Sequence, residues 1–156
     1  MRREAITPEI SSLAVDFFFG FSRFEFALKA NGYLKSHKLG AKAEPGWTAF
    51  VEKWKVGYES SPEAVALVEA RPEQQIVDAN GDLAWRPVDL RRHTSELARV
   101  VCLLKTVRNN LFHGGKHGDV GWDDPERTKF LLTVGKRVLD QLVQLASLEA
   151  DYRQQY

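Results

Sequence analysis

The chain has 156 residues, 44% of them apolar, which is enough for one domain with its own core. Its 22 Lys and Arg nearly balance 21 Asp and Glu, for a formal charge of +1. That balance excludes a global electrostatic drive toward nucleic acid and confines any such contact to a local patch.

Helix starts are punctuated consistently. Thr7-Pro8-Glu9, Ser61-Pro62-Glu63 and Asp124-Pro125-Glu126 each offer a capping oxygen, a proline at the first helical position and an early carboxylate. The first predicted helix runs from Pro8 to about Ala30 and stops at Asn31-Gly32. Leu13, Phe17, Phe21, Phe24 and Leu28 form one apolar stripe, and Val15, Phe19, Ser22 and Phe26 a neighbouring one. Two stripes predict a deeply buried helix, with a share of the surface left for an oligomer contact. Ser22, Arg23, Glu25 and Lys29 interrupt this aromatic run, and the charged N-terminus has no apolar signal core, so no membrane span is expected.

A polar stretch from Lys35 to Gly46 reads as a loop. The second helix carries Trp47, Phe50, Val51, Trp54 and Tyr58 on one side, with Trp47 and Trp54 expected in the core. A short third helix, Pro62 to Ala70, ends before Arg71-Pro72, as a following proline requires. In "EQQIVDANGDLAWRPV", Asn80-Gly81 can supply both positive-φ positions of a tight turn between strands 75–78 and 82–85. The hairpin insertion thus covers about 74–87 and must lie against helices to be stable.

From about Thr94 the pattern is helical again through Leu97, Val100, Val101, Leu104, Val107 and Leu111, and stops at Gly114-Gly115. The lone Cys102 excludes a disulfide within the chain, reads as a small buried hydrophobe and fits a reducing cytosol. After a loop from His113 to Asp123, a last helix runs from Pro125 to about Ala150, with Leu131, Val134, Val138, Leu142, Leu145 and Leu148 on its buried face. The expectation is a single, cytoplasmic, mainly α domain over 1–156: an antiparallel four-helix bundle with an additional short helix and an inserted β-hairpin.

The segment "VRNNLFHGGK", 107–116, holds the densest chemistry. Arg108 continues the buried stripe of its helix, so its guanidinium must find a partner or line a groove. Asn109 and His113 are four residues apart and share a face while the helix persists, which lets Asn109 orient the imidazole. Arg108 offers a fixed fork of donors for phosphate, and His113 titrates near neutrality. The pair suits metal-free RNA cleavage, in which a base takes the 2′-hydroxyl proton and arginine stabilises charge on the attacked phosphate. Two copies in a symmetric dimer would supply both an acid and a base. The plain alternative is a helix C-terminus favouring cations, and Arg86 with His93 repeats the loose spacing.

"RNNLFHGGK" resembles the Arg-polar-x-x-x-His motif of the HEPN superfamily, the higher eukaryote and prokaryote nucleotide-binding domains. "FFFGFSRFEFALKANGY", the central hairpin and the motif together are similar to a bacterial and plasmid-borne HEPN subfamily, over most of the chain. The resemblance implies a small helical bundle acting without a cofactor as a metal-independent endoribonuclease in toxin–antitoxin or phage-defence systems. It makes Arg108 and His113 the catalytic pair, with Asn109 beside them. It also implies a homodimer with two motifs in one cleft, RNA as substrate and a cognate antitoxin as partner. Gly115 stands where one toxin subgroup carries a tyrosine, so regulation through that tyrosine is not expected. Some HEPN domains are non-catalytic, which leaves an RNA-, nucleotide- or protein-binding module, or a purely structural dimer, as the rivals.

Lys105, Asn110, Lys116 and His117 surround the motif and are candidate substrate contacts, or else ordinary solvated groups. Arg23 and Glu25 are candidates to reach the Arg108 groove, although Glu25 also matches Lys29 as a four-residue ion pair. Arg91-Arg92-His93 is a short basic cluster at a helix start, and Trp85 and Trp122 are candidates for stacking on bases. One cysteine and scattered histidines give no metal-ligand set.

Overall fold

A computed structural model describes residues 6–112 and 124–153. These residues are mainly helical, with one small antiparallel sheet. The elements are α1 (Pro8–Ala30), α2 (Trp47–Trp54), α3 (Pro62–Glu69), strands β1 (Glu73–Val77) and β2 (Leu83–Pro87), α4 (Glu96–Phe112), α5 (Pro125–Leu145) and α6 (Glu149–Arg153).

The three predicted caps form. Thr7 accepts from the Ile10 amide, Ser61 from Ala64, and Asp124 from Glu126 and Arg127. Each satisfies an amide that the first helical turn leaves open, so these starts are decided locally.

The core gathers Phe17, Phe21, Phe24 and Leu28 of α1 with Phe50 of α2, Leu67 of α3, Leu104 and Val107 of α4, and Leu132, Val138 and Leu142 of α5. Contacts between Glu9 and Lys129, Phe17 and Gly135, and Gly20 and Lys136 climb α1 and α5 together, so these helices run the same way. Phe112 meets Phe18 while Arg108 meets Phe21, so α4 runs against α1.

Three expectations need correction. The second stripe of α1 is not buried: Val15 is 64% exposed and Phe19 63%. The core needs only one face of α1, and the other is left as apolar surface. The hairpin turn uses one positive-φ residue, Gly81 at 87°, and not Asn80 as well. Asp78 N–H donates to the Asp82 carbonyl, and the Asp78 carboxylate accepts from the amides of Asn80 and Asp82. The result is a three-residue loop in place of the two-residue turn, and the strands start at Glu73 and Leu83.

The last helix is also broken. α5 ends at Leu145, Ser147 takes φ 53°, and the Leu148 amide reaches back to the Val143 carbonyl (2.9 Å). This is the same closing pattern that ends α1, where Gly32 is left-handed and the Tyr33 amide returns to Leu28 (2.8 Å). Leu148, 2% exposed, anchors the turn by burial, and α6 folds back onto α1. No helix among the described residues is long and apolar enough to cross a membrane.

Candidate functional site

α4 begins where the Ser95 hydroxyl accepts from the Ala98 amide (3.2 Å). Leu97, Val100, Val101, Leu104 and Val107 bury its inner face. Arg108 follows on the same stripe but emerges at the rim, half-buried. Its guanidinium carbon lies 5.6 Å from the centre of the Phe21 ring and 5.3 Å from that of Phe112. Phe18 closes against Phe112 at 4.9 Å. Arginine on aromatic faces gains roughly 0.5–2 kcal/mol and keeps its N–H groups for other partners. Nη1 donates to the Asn109 side-chain oxygen at 3.1 Å.

Arg108 forms part of the wall of a cleft of about 890 Å³. The cleft lies between the C-terminal half of α1, the 34–46 loop, the start of α2 and α4. Lys29, Lys35, Lys42 and Lys105 line it with Arg108, against Glu25 and Glu44. Both carboxylates are engaged. Glu25 accepts from Trp47 Nε1 (3.0 Å), not from Lys29 as the sequence spacing suggests, and Glu44 pairs with Lys35 (3.2 Å). The loop is closed on itself by the Lys35 amide on the Glu44 carbonyl (3.0 Å) and the Gly46 amide on Tyr33 (2.8 Å). Gly46 is required there, since a Cβ would sit 2.6 Å from the Leu34 backbone.

Two smaller cavities flank Asn109. One, about 440 Å³ between α2 and α4, includes Arg92, His93, Cys102 and Lys105 in its wall. Cys102 is half-buried there, not wholly buried as expected. Burial raises its thiol pKa, with the Lys105 charge opposing, so the reactive thiolate is scarce at neutral pH. The other, about 260 Å³, lies between the hairpin and α4 and is lined by Gln74, Gln75, Trp85, Thr106, Asn109 and Asn110.

The candidate residues therefore separate. Arg108, Lys105 and Glu25 line the same cleft, whereas Asn109 reaches Arg108 by its side-chain oxygen but lines the two neighbouring cavities. Asn110 instead ties the hairpin to α4, its Nδ2 donating to the Glu73 carbonyl at 2.7 Å. Arg23 is buried and faces α6, where Nε donates to the Tyr152 carbonyl (3.2 Å) and Nη2 to that of Asp151, with the guanidinium over Phe26. Of the basic cluster, Arg91 is held by Asp89 through two bonds of 2.9 Å, in a 3-10 turn, Leu90–Arg92, ahead of α4. Arg91 draws the Asp89 carboxyl well below the usual carboxylate range. His113, Lys116, His117 and Trp122 lie outside the described residues.

Sequence reasoning missed the lysines of the 34–46 loop. The signal was present in "LKSHKLGAKAEPG", three lysines against one glutamate. It became informative only when the loop folded back beside Arg108. Among the described residues, no three His, Cys, Asp or Glu side chains stand together as a metal-binding group. No family model, curated protein or solved structure matches this chain.

Proposed function

We propose that the chain is a HEPN-type, metal-independent endoribonuclease, built on a HEPN-like four-helix bundle and working as a homodimer. The observation that carries the reading is the setting of Arg108, fixed between two aromatic rings at the edge of a cationic cleft.

In this reading one His113 imidazole takes the proton of the 2′-hydroxyl at the cut site. The freed oxygen attacks the adjacent phosphorus, the bond to the 5′-oxygen breaks, and that oxygen takes a proton from the second copy's imidazolium. The products are a 2′,3′-cyclic phosphate and a 5′-hydroxyl. Arg108 donates to the non-bridging oxygens as charge builds on them, an effect typically worth about 3–4 kcal/mol for one such donor. Asn109 holds the Arg108 fork through its side-chain oxygen.

Support for the dimer comes from the apolar surface beside Arg108. Val15, Phe18, Phe19 and Phe112 are all exposed, and a second copy closing on them would bring two Arg108 side chains into one cleft. Action in the cytoplasm as a toxin or phage-defence effector, restrained by an antitoxin, belongs to the same proposal.

The test is digestion of total RNA in EDTA by wild type, Arg108→Ala and His113→Ala, each shown to be folded by circular dichroism. Wild-type cleavage leaving cyclic phosphate ends, lost in both variants, is the expected result. Intact RNA with wild type leaves a non-cutting RNA-binding module, for which the same cationic cleft is the supporting feature.

A further inference from the structure

The cleft beside Arg108 is much larger than one phosphate needs, and its charge is concentrated. Among the described residues its wall holds five Lys and Arg and two Glu. Lys29, Lys42, Lys105 and Arg108 have no carboxylate partner among the described residues, and the two carboxylates of the wall are already engaged. Four unpaired cations around one concavity repel one another, an arrangement that a polyanion relieves.

The start of α2 adds to this field. Its cap is Gly46, with no side chain bonded to the first turn and no acidic residue in that turn. Trp47, Thr48 and Ala49 line the cleft, and α2's first backbone bond there is from Phe50 to the Gly46 carbonyl (3.0 Å). The amides of the first turn thus have no partner among the described residues, on the cationic side. Trp47, the one aromatic residue among the described residues of the wall, is 7% exposed and packed against Phe21 and Phe24. Among the described residues the cleft therefore offers charge and donors but no free stacking platform, which suits a sugar–phosphate backbone better than bases.

We infer that this cleft, through Lys29, Lys42 and Lys105, grips the phosphodiester backbone of single-stranded RNA next to the bond presented to Arg108. The identity of the polyanion rests on the ribonuclease reading. Contacts to backbone alone make the grip independent of sequence and strongly dependent on salt.

The experiment is fluorescence anisotropy with a labelled mixed-sequence 12-nucleotide RNA, in EDTA on ice, over a salt series. Wild type is compared with Lys29→Gln/Lys42→Gln/Lys105→Gln and with a control of equal charge loss outside the cleft, Lys38→Gln/Lys53→Gln/Lys55→Gln. Losing three phosphate contacts should lower the slope of log affinity against log salt by about 2 and weaken binding roughly 100-fold at 0.1 M salt. The control should stay within about twofold of wild type. Equal losses in both triple variants, or unchanged affinity in the cleft variant, overturns the inference. So does competition by polyglutamate at the same concentration as RNA, which would make the cleft a site for acidic peptide. Failure of the nuclease reading is separately visible: wild type would bind RNA in the cleft and leave it uncut.

Discussion

Arg23 and Arg108 are the same residue type in similar settings, each interrupting an apolar helix face and each lying over a phenylalanine ring. The structure gives them opposite surroundings. Arg23 is 9% exposed, and its donors reach backbone carbonyls of α6. It closes the end of a helix whose last carbonyls need donors. Arg108 stands at the rim of a cleft, bonded to the amide of its own neighbour and steadied by rings that accept no conventional hydrogen bond. A guanidinium tied to the backbone carbonyls of another helix supports the fold, whereas one steadied by aromatic faces keeps donors for a ligand.

Substitutions should separate the two arginines. The largest expected effect on stability is at Arg23. Arg23→Met leaves the part-buried carbonyls of Asp151 and Tyr152 without this donor and should cost about 2 kcal/mol in urea denaturation. Arg108→Ala should cost under about 1 kcal/mol in the same measurement, because only a neighbour's bond and ring contacts are lost. Equal losses at both positions would remove the distinction.

Gly46→Ala acts on the wall of the Arg108 cleft. The added Cβ meets the Leu34 backbone at 2.6 Å, so the 34–46 loop must move. A destabilisation of about 1–3 kcal/mol is expected, together with weaker RNA binding measured by anisotropy. Asn110→Ala removes the 2.7 Å tie to Glu73 and should cost about 1 kcal/mol. Faster amide hydrogen exchange over 73–87, with α4 unchanged, would locate that loss in the hairpin.

The smallest effect is at alkaline pH. Burial, and then the Asp140 carboxylate that its hydroxyl contacts at 2.9 Å, raises the Tyr152 phenol well above its ordinary 10.0. The fold favours the neutral phenol, so this contribution is complete below about pH 10. It is lost as pH rises from there toward the raised folded-state value. The loss is at most about 1.4 kcal/mol per pH unit, and solvent screening of the part-exposed ring reduces it. Tyr152→Phe should flatten the fall of stability above pH 10 in denaturation curves.

Features decided within a few residues were legible in the sequence. The caps at Thr7, Ser61 and Asp124 formed as spaced, because a hydroxyl or carboxylate two or three residues from an open amide needs no distant partner, and α1 stopped at Asn31-Gly32, where the glycine takes the left-handed turn. Features decided across the fold were not. Nothing local tells Phe17, in the core, from Phe19, on the surface. Nothing local makes Ser147 left-handed, since that turn depends on burying Leu148 and docking α6. At the candidate site, the position of Arg108 on its helix was legible from periodicity. That Arg23 belongs to α6, and that Lys29 and Lys42 belong beside Arg108, rests on separations of up to 129 residues.

The most direct measurement is single-turnover cleavage of a labelled RNA in EDTA by wild type, Arg108→Ala and Arg23→Met, at a temperature where circular dichroism shows all three folded. If Arg108 stabilises the attacked phosphate, Arg108→Ala should cut at least about 100-fold more slowly than wild type. Arg23→Met should remain within a few-fold of wild type. RNA left intact by wild type, or a folded Arg108→Ala that cuts as fast as wild type, would contradict that role.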